Sequence, residues 1–389
     1  MKKVIATMNN ISSKGLDIFG DSYTFTDKRE DAQAWIVRSF KLNDVKLPDG
    51  LRSIARAGSG TNNIPIDRCT EKGIVVFNTP GANANAVVEL VIAMMIFAKR
   101  SIRNAINWVE ENKDEHDIAA RTEKEKKQFA GFEIRNKTLG IIGLGSIGKL
   151  LAKSALSLGM KVLAFDQAVK EEGAEDIGED IFLTDSLGEL LSQADYVSIH
   201  VPLNDSTRGY IGAKELEIMK NDAVLLNFSR DKICDEDAVG KALEQGRLSK
   251  YIVDFPNEKN VKFVNTIVIP HLGGSTFEAE ENCALLASKS TKQYLETGNI
   301  VNSVNFPDVS LGLQKSKTRI VVLNKHYPNI ISKISGMFGD EGYNIVKMTT
   351  NGKTEVSILD VDSHIDKAFA KKLEDHPYIL RVRVINKEI

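Results

Sequence analysis

Lys137-Thr-Leu-Gly-Ile-Ile-Gly-Leu-Gly-Ser-Ile-Gly148, with Asp166 beyond it, is the stretch that decides the fold. An apolar strand runs into Gly143, Gly145 and Gly148 at the spacing G-x-G-x-x-G. A helix follows, with Ile147, Leu150, Leu151, Ala155 and Leu158 on one face, and a second strand, Lys161 to Phe165, ends at the acid. This is the βαβ pattern that holds a dinucleotide. Gly143 permits the tight turn, Gly145 lets a pyrophosphate approach the backbone, and Gly148 lets helix and strand pack closely. The N–H groups and positive end of the helix then face the anion. A carboxylate at Asp166 suits ribose hydroxyls and repels a 2′-phosphate, so NAD is expected rather than NADP. Its plainer role is a solvated acid at a strand end.

At 389 residues the chain is long enough for two or three domains. Hydrophobic residues make up 42% and charged residues 27%, enough for substantial cores in an ordinary soluble chain. The 51 basic and 53 acidic residues leave a net charge of −2, which points away from nucleic acid or an anionic membrane as partner. Cys69, Cys234 and Cys283 are scattered, with neither a disulfide framework nor metal-ligand spacing, so no metal is expected and a reducing cytoplasm is the expected setting. The apolar run near the start is too short for a signal peptide. Ala84 to Ala98, broken by Glu89, is too short to span a membrane and reads as a helix buried on most sides. Arg121 to Lys127 mixes signs and reads as a solvated helix face or loop.

Short strands at Ala34–Arg38, Ser53–Ala57 and Ile74–Phe77 precede the dinucleotide stretch. After it, strands recur at α/β spacing: Tyr196–His200, Ala223–Asn227, Tyr251–Asp254 and Thr266–Ile269. Helical segments lie between them, and a long helix is predicted over Phe277–Thr297. From Thr318 the order becomes βαββαβ, with a hairpin turn at Asn351-Gly352, which suggests a ferredoxin-like module. The predicted class is thus α/β: a doubly wound parallel sheet for the cofactor, a further α/β unit before it, and a C-terminal ferredoxin-like domain.

Catalysis in such a sheet uses residues just past the carboxyl ends of strands. Arg230, Glu258 and His271 follow three successive late strands. Histidine titrates near neutrality and can take the proton of a secondary alcohol as hydride leaves. A carboxylate orients the ring, and a guanidinium grips a substrate carboxylate. The three suit 2-hydroxy acid chemistry. Plainer roles stand beside these: surface charges for Arg230 and Glu258, a loop or capping residue for His271. His200 also ends a strand, where it lines the cofactor site or makes a structural hydrogen bond.

Further motifs carry a family resemblance across nearly the whole chain. They are Arg56-Ala-Gly-Ser-Gly-Thr-Asn-Asn-Ile64, Asn78-Thr-Pro-Gly-Ala-Asn-Ala-Asn-Ala-Val-Val-Glu-Leu90, His200-Val-Pro-Leu-Asn-Asp-Ser-Thr207 and Pro270-His-Leu-Gly-Gly-Ser-Thr276. The chain resembles the D-isomer-specific 2-hydroxyacid dehydrogenases, in their phosphoglycerate dehydrogenase branch with a C-terminal ACT domain. The resemblance implies His271 as acid/base, Glu258 as its partner and Arg230 as the carboxylate-binding residue. It implies Arg38 on a substrate phosphate, with Ser59 and Gly60 cradling the substrate carboxylate. On the cofactor side it implies Ser146 and Ile147 in the turn under the pyrophosphate, and His200, Pro202, Thr207 and Gly273, with Asp254 on the nicotinamide amide. That last match is displaced by one residue, because the family reads Asp-Val-Phe where this chain has Val253-Asp-Phe255. Two other departures are Asp231 in place of glycine and Lys259 in place of proline.

The implied activity is NAD-dependent oxidation of 3-phospho-D-glycerate, the entry to L-serine synthesis. The alternatives are another 2-hydroxy or 2-oxo acid such as 2-oxoglutarate, or an NAD-sensing regulatory protein on the same scaffold. The implied domains are a flavodoxin-like, discontinuous substrate domain (1–98 and 278–306), a cofactor domain (99–277) and an ACT domain (317–389). In the last, Asn324, His326 and Asn344 match an effector site for L-serine, although the loop lacks the usual glycine after Pro328; the other reading is a module used only for assembly. The implied assembly is a homodimer or homotetramer.

Overall fold

The computed structural model describes residues 2–167, 180–351 and 355–387. The first sheet contains β1 (Lys3–Met8), β2 (Tyr23–Thr26), β3 (Ala34–Val37), β4 (Ser53–Arg56) and β5 (Val75–Phe77), in the order β2-β1-β3-β4-β5. Every pairing in it is parallel. The second contains β6 (Thr138–Ile142), β7 (Lys161–Phe165), β8 (Ile181–Leu183), β9 (Tyr196–Ile199), β10 (Val224–Asn227), β11 (Lys250–Val253) and β12 (Thr266–Val268). Its order is β12-β11-β10-β9-β6-β7-β8, again all parallel. The third contains β13 (Thr318–Asn324), β14 (Ile345–Thr350), β15 (Val356–Val361) and β16 (Ile379–Asn386), antiparallel in the order β14-β15-β13-β16. With helices Ile330–Asp340 and Lys367–Glu374 between its strands, this is the predicted βαββαβ order. The predicted turn at Asn351-Gly352 runs into residues 352–354, outside the described residues. Strands β1, β2 and β8, six, four and three residues long, had no counterpart in the sequence reading.

The central strands of both parallel sheets are continuous apolar runs because helices cover both faces. In β6, Leu139, Ile141 and Ile142 are buried. In β10, so are Val224, Leu225 and Leu226. Gly140 completes β6 because a Cβ there would stand 2.5 Å from Leu190 Cδ2 of the covering helix.

The chain forms two compact units, Ala84–Thr276 and Met1–Asn83 with Phe277–Ile389. The helix Ala84–Lys99 belongs to the first of these by its packing. Val87, Val88, Val91 and Met95 share a core with Leu139, Ile141, Leu151 and Ala155, and Lys99 Nζ donates to Ser249 Oγ at 3.3 Å. The sequence reading had grouped this helix with residues 1–98. Among the described residues, no helix is long and apolar enough to cross a membrane.

In the other unit, the third sheet is buried on both faces. Ile320, Val322, Leu359 and Val361 point to its own two helices, meeting Ile334, Phe338, Phe369 and Leu373. Alternate residues Val321, Leu323, Val356 and Ile358 meet Phe77, Tyr294, Leu295 and Ile300. Two-sided burial explains why every residue of β13 and β15 is buried, with apolar residues at Ile320–Leu323 and at Val356, Ile358, Leu359 and Val361 rather than a simple alternation. Three arginines reinforce the second face. Arg383 donates to the carbonyls of Tyr294 and Leu295, and Arg319 Nη1 donates to Thr297 O at 3.1 Å. These carbonyls end the 21-residue helix Phe277–Thr297, roughly 31 Å long, where the helix dipole favours cations. Arg381 reaches Asp49 O at 3.0 Å and the carbonyl of Leu51. Arg319 is itself fully buried and held bidentately by Asp360, at 2.7 and 2.9 Å.

Asn329, which stands where the family has glycine, adopts φ 62°. Asparagine tolerates the left-handed region, so the turn survives the exchange. The three thiols are all buried, and burial pushes Cys69 and Cys234 up to about 12.

Asp360→Ala leaves the Arg319 guanidinium buried and unpaired, a loss of roughly 3–5 kcal/mol. The expected outcome is a lower melting temperature, with amide exchange accelerated first in β13 and β15. Unchanged exchange there would show that the pair does not hold the sheet.

Candidate functional site

In the second sheet, β6 lies between β9 and β7, so the strand order reverses at β6 and opens a crevice at the carboxyl ends. The glycine loop sits there. Gly143 has φ 99°, and a Cβ on it would meet the backbone of His200 at 2.9 Å. On Gly148 a Cβ would stand 2.0 Å from Gly143 O, so strand and helix meet backbone to backbone. A Cβ on Gly145 would meet nothing within 4 Å, which is the open approach a pyrophosphate requires. Gly145 is the N-cap of helix Ser146–Ser157 and supplies no capping side chain. The first N–H groups of a 12-residue helix therefore face an exposed loop. These residues fit a dinucleotide.

Asp166 follows β7 and accepts from the Leu144 N–H at 2.7 Å. The acid thus also fixes the glycine loop. The segment after β9 is tied down in the same manner. Asn204 Oδ1 accepts from Ser206 and Thr207 N–H, and Thr207 Oγ1 donates to Pro202 O at 2.6 Å. His200 Nε2 lies 2.8 Å from Ser198 Oγ, while its Nδ1 is enclosed and has no partner among the described residues. Burial pushes this imidazole down from its ordinary value near 6.5 to about 4, so it is neutral at pH 7.

Arg230, Glu258 and His271 follow the neighbouring strands β10, β11 and β12, whose ends are level: Asn227 pairs with Val253, and Val253 with Val268. Arg230 is half-buried. Its backbone carbonyl accepts from Asn227 Nδ2 at 2.8 Å, and its guanidinium donates to Ser229 O at 2.6 Å. His271 is exposed, with φ 56° and its ring edge-on to Phe255 at 5.0 Å. A positive φ is uncommon for a residue other than glycine and must be enforced by its surroundings.

Asp254 does the enforcing. It is 1% exposed, and its two oxygens accept from Leu272 and Gly273 N–H, each at 2.7 Å. Gly273 has to be glycine here, since a Cβ would stand 2.9 Å from Asp254 Oδ2. Burial raises the carboxyl of Asp254 while the two amides pull it down, with burial the larger effect. Its position explains the displaced match in the sequence. One residue along a strand turns a side chain to the opposite face, and here it faces the histidine loop. The sequence reading did not give Asp254 this task; a buried acid ending an apolar strand was the available signal.

Glu258 is not brought to His271. No hydrogen bond or ion pair joins the two among the described residues. Glu258 sits exposed on a loop shaped by its neighbours: Asn257 Oδ1 accepts from Lys259 and Asn260 N–H, and Asn260 Nδ2 donates to Phe255 O. Lys259, in the place of the family's proline, pairs with Asp237 at 2.7 Å. Asp231 opens the short 3₁₀ turn Asp231–Ile233.

In the other unit, Arg38 follows β3. Arg56 Nε and Asn63 Nδ2 donate to its carbonyl at 3.0 and 3.3 Å, and its guanidinium pairs with Glu280. Ser59 and Gly60 lie on the loop after β4. That loop is tied by Asn78 Nδ2 donating to Ser59 O at 2.6 Å and by Arg56 to the carbonyl of Gly60. Arg56, Asn63 and Glu280 were not singled out beforehand. In the third sheet, Asn324 is buried at the end of β13 and donates to Lys325 O, and His326 is exposed just beyond. Asn344 precedes β14 and donates to Asp362 at 2.9 Å. Thr318 and Ile345 both pair with Val361, so Asn344 lies at the other end of the sheet from Asn324. One copy of the module does not bring the three residues together.

A model of the NAD binding domain of D-isomer specific 2-hydroxyacid dehydrogenases matches residues 92–273. D-3-phosphoglycerate dehydrogenase of Methanocaldococcus jannaschii is 32% identical over 375 residues, 93% of this chain and 67% of that protein. The Escherichia coli K12 protein of the same name is 33% identical over 341 residues, 84% of this chain and 79% of that protein. The chain belongs to the D-isomer-specific 2-hydroxyacid dehydrogenase family. The NAD+-bound 3-phosphoglycerate dehydrogenase of Entamoeba histolytica superposes with a TM-score of 0.63 at 26% identity, covering 79% of this chain and 99% of that one. This 2-hydroxyacid dehydrogenase is an NAD-dependent enzyme, and its glycine loop lies within the residues that the NAD binding domain model matches.

Two outcomes follow for the dehydrogenase. Gly148→Ala drives a methyl group into Gly143 O, so NADH binding followed by fluorescence should weaken at least tenfold; an unchanged affinity would mean the loop is not the cofactor's seat. His200 gives a pH signature. The unfolded chain protonates it as pH falls through 6.5, the folded chain only near 4. Stability is therefore lost as pH falls between those values, by roughly 3 kcal/mol from this group. His200→Asn should narrow the gap between urea midpoints at pH 7 and pH 4.5.

Proposed function

We propose that this dehydrogenase oxidises 3-phospho-D-glycerate to 3-phosphohydroxypyruvate with NAD, at the entry to L-serine synthesis. The observation that carries the reading is the level arrangement of Arg230 and His271 past β10 and β12, with the glycine loop in the same sheet. The names of the relatives in M. jannaschii, E. coli and E. histolytica agree with it. NAD, when bound, supplies the acceptor for the hydride that leaves C2. His271 takes the hydroxyl proton at an imidazole nitrogen, so the alcohol loses a proton and a hydride and becomes a ketone. Arg230 holds the substrate carboxylate as a charge-assisted pair. The family resemblance adds Arg38 for the phosphate, and backbone groups of Ser59 and Gly60 for the carboxylate. His200, neutral at pH 7, lines the cofactor side without adding charge. Glu258 becomes a partner for His271 once its loop carries the carboxylate within hydrogen-bond reach. Catalytic hydrogen bonds are often unmade in a protein without substrate.

The third sheet is proposed as an ACT-type module, on the strength of its β14-β15-β13-β16 order. A serine site built from Asn324, His326 and Asn344 would draw on two copies of the chain, because one copy holds them at opposite ends of the sheet. That requirement fits the expected homodimer or homotetramer.

The test is NADH formation from 3-phospho-D-glycerate, with and without L-serine. His271→Asn should lower kcat about 10²–10⁴-fold while NADH affinity stays within twofold. Undiminished turnover would remove His271 from the proton transfer.

A further inference from the structure

Arg38 is fixed from two directions. Beneath, Arg56 and Asn63 hold its carbonyl. Above, its Nη2 donates to Glu280 Oε1 at 2.6 Å, across 242 residues of sequence. Glu280 lies in the first turn of the helix Phe277–Thr297. Both side chains are 38% exposed, so the pair sits at a surface that a substrate can reach. The next acid on that helix, Glu281, is turned to Lys14 at 2.8 Å, which leaves Glu280 as the carboxylate on Arg38.

We infer that Glu280 is a specificity-determining residue that sets how strongly the substrate phosphate is held. The inference rests on the reading of Arg38 as the phosphate-binding residue. Without substrate, the carboxylate occupies one end of the guanidinium fork and holds the arginine in place. A dianionic phosphate arriving at Arg38 has to displace that oxygen or share the cation with it at close range. Like charges a few ångströms apart repel, and the repulsion acts only on substrates that carry the phosphate. Glu280 therefore weakens the phosphorylated substrate selectively, keeping its KM above what Arg38 alone would give. A neutral residue at this position keeps the helix and releases the guanidinium.

The experiment compares KM for 3-phosphohydroxypyruvate and for hydroxypyruvate in the NADH-consuming direction, since the two differ by the phosphate alone. In Glu280→Gln, the KM of hydroxypyruvate relative to that of 3-phosphohydroxypyruvate should rise about tenfold, the range expected for removing one close like charge. Glu280→Ala is the second variant if the amide disturbs folding, and it should move the ratio in the same direction. Arg38→Ala should lower the ratio. If Arg38→Ala lowers it and neither Glu280 variant raises it, Glu280 has no such role and the reading of Arg38 stands. If Arg38→Ala leaves the ratio where it was, the phosphate reading itself fails, and the inference with it.

Discussion

Two backbone amides and one buried carboxylate hold together the loop that carries His271. Asp254 follows β11 and is buried, and Leu272 and Gly273 donate to it from the loop after β12. A carboxylate taken out of water needs strong partners, and two charge-assisted hydrogen bonds supply them. The same bonds fix the loop in a shape where His271 must take a left-handed backbone conformation. The imidazole is thereby set at the rim of the sheet with few degrees of freedom left. A side chain whose backbone is fixed in this way can stay exposed while its point of attachment keeps its place.

The parallel sheet supplies the frame for this. Its strands end level, so residues one to five places past β10, β11 and β12 gather along one edge although the chain separates them by tens of residues. The glycine loop opens at β6, where the order turns. The first N–H groups of the helix after Gly145 give that end of the sheet its potential to hold an anion. Side chains such as Asn78, Asn204 and Asn257 are spent on shaping loops rather than on touching ligands.

Much of this was legible in the sequence, because both parallel sheets are long apolar runs punctuated by glycine and the motif glycines have no other use. The strands from β6 to β16 fall within a residue or two of expectation wherever the apolar signal is strong. The exceptions have physical causes. Strand β8 has a single buried residue, Ile181, and β2 pairs along an edge with two exposed positions, so neither shows a core pattern. The helix Ala84–Lys99 was grouped with its sequence neighbours, whereas packing groups it with β6 and the helix after it. Candidate residues could be named where the motif is local, and the contacts that hold them were missed where they are not. Glu280 meets Arg38 across most of the chain, Asp254 acts through amides that carry no sequence signature, and Glu258 and His271 share adjacent strands without touching. The candidate effector residues show the same limit, since matching three positions did not reveal that Asn324 and Asn344 lie at opposite ends of the sheet.

The sealed thiols have a practical side. Cys69, Cys234 and Cys283 are shut away from solvent and stripped of nucleophilicity by burial. A bulky thiol reagent finds no purchase on the folded enzyme and reacts only as the surrounding layers part. Cys69 and Cys283 lie in one unit and Cys234 in the other, so the rates at which they become labelled time the opening of each unit separately, with no foreign probe introduced.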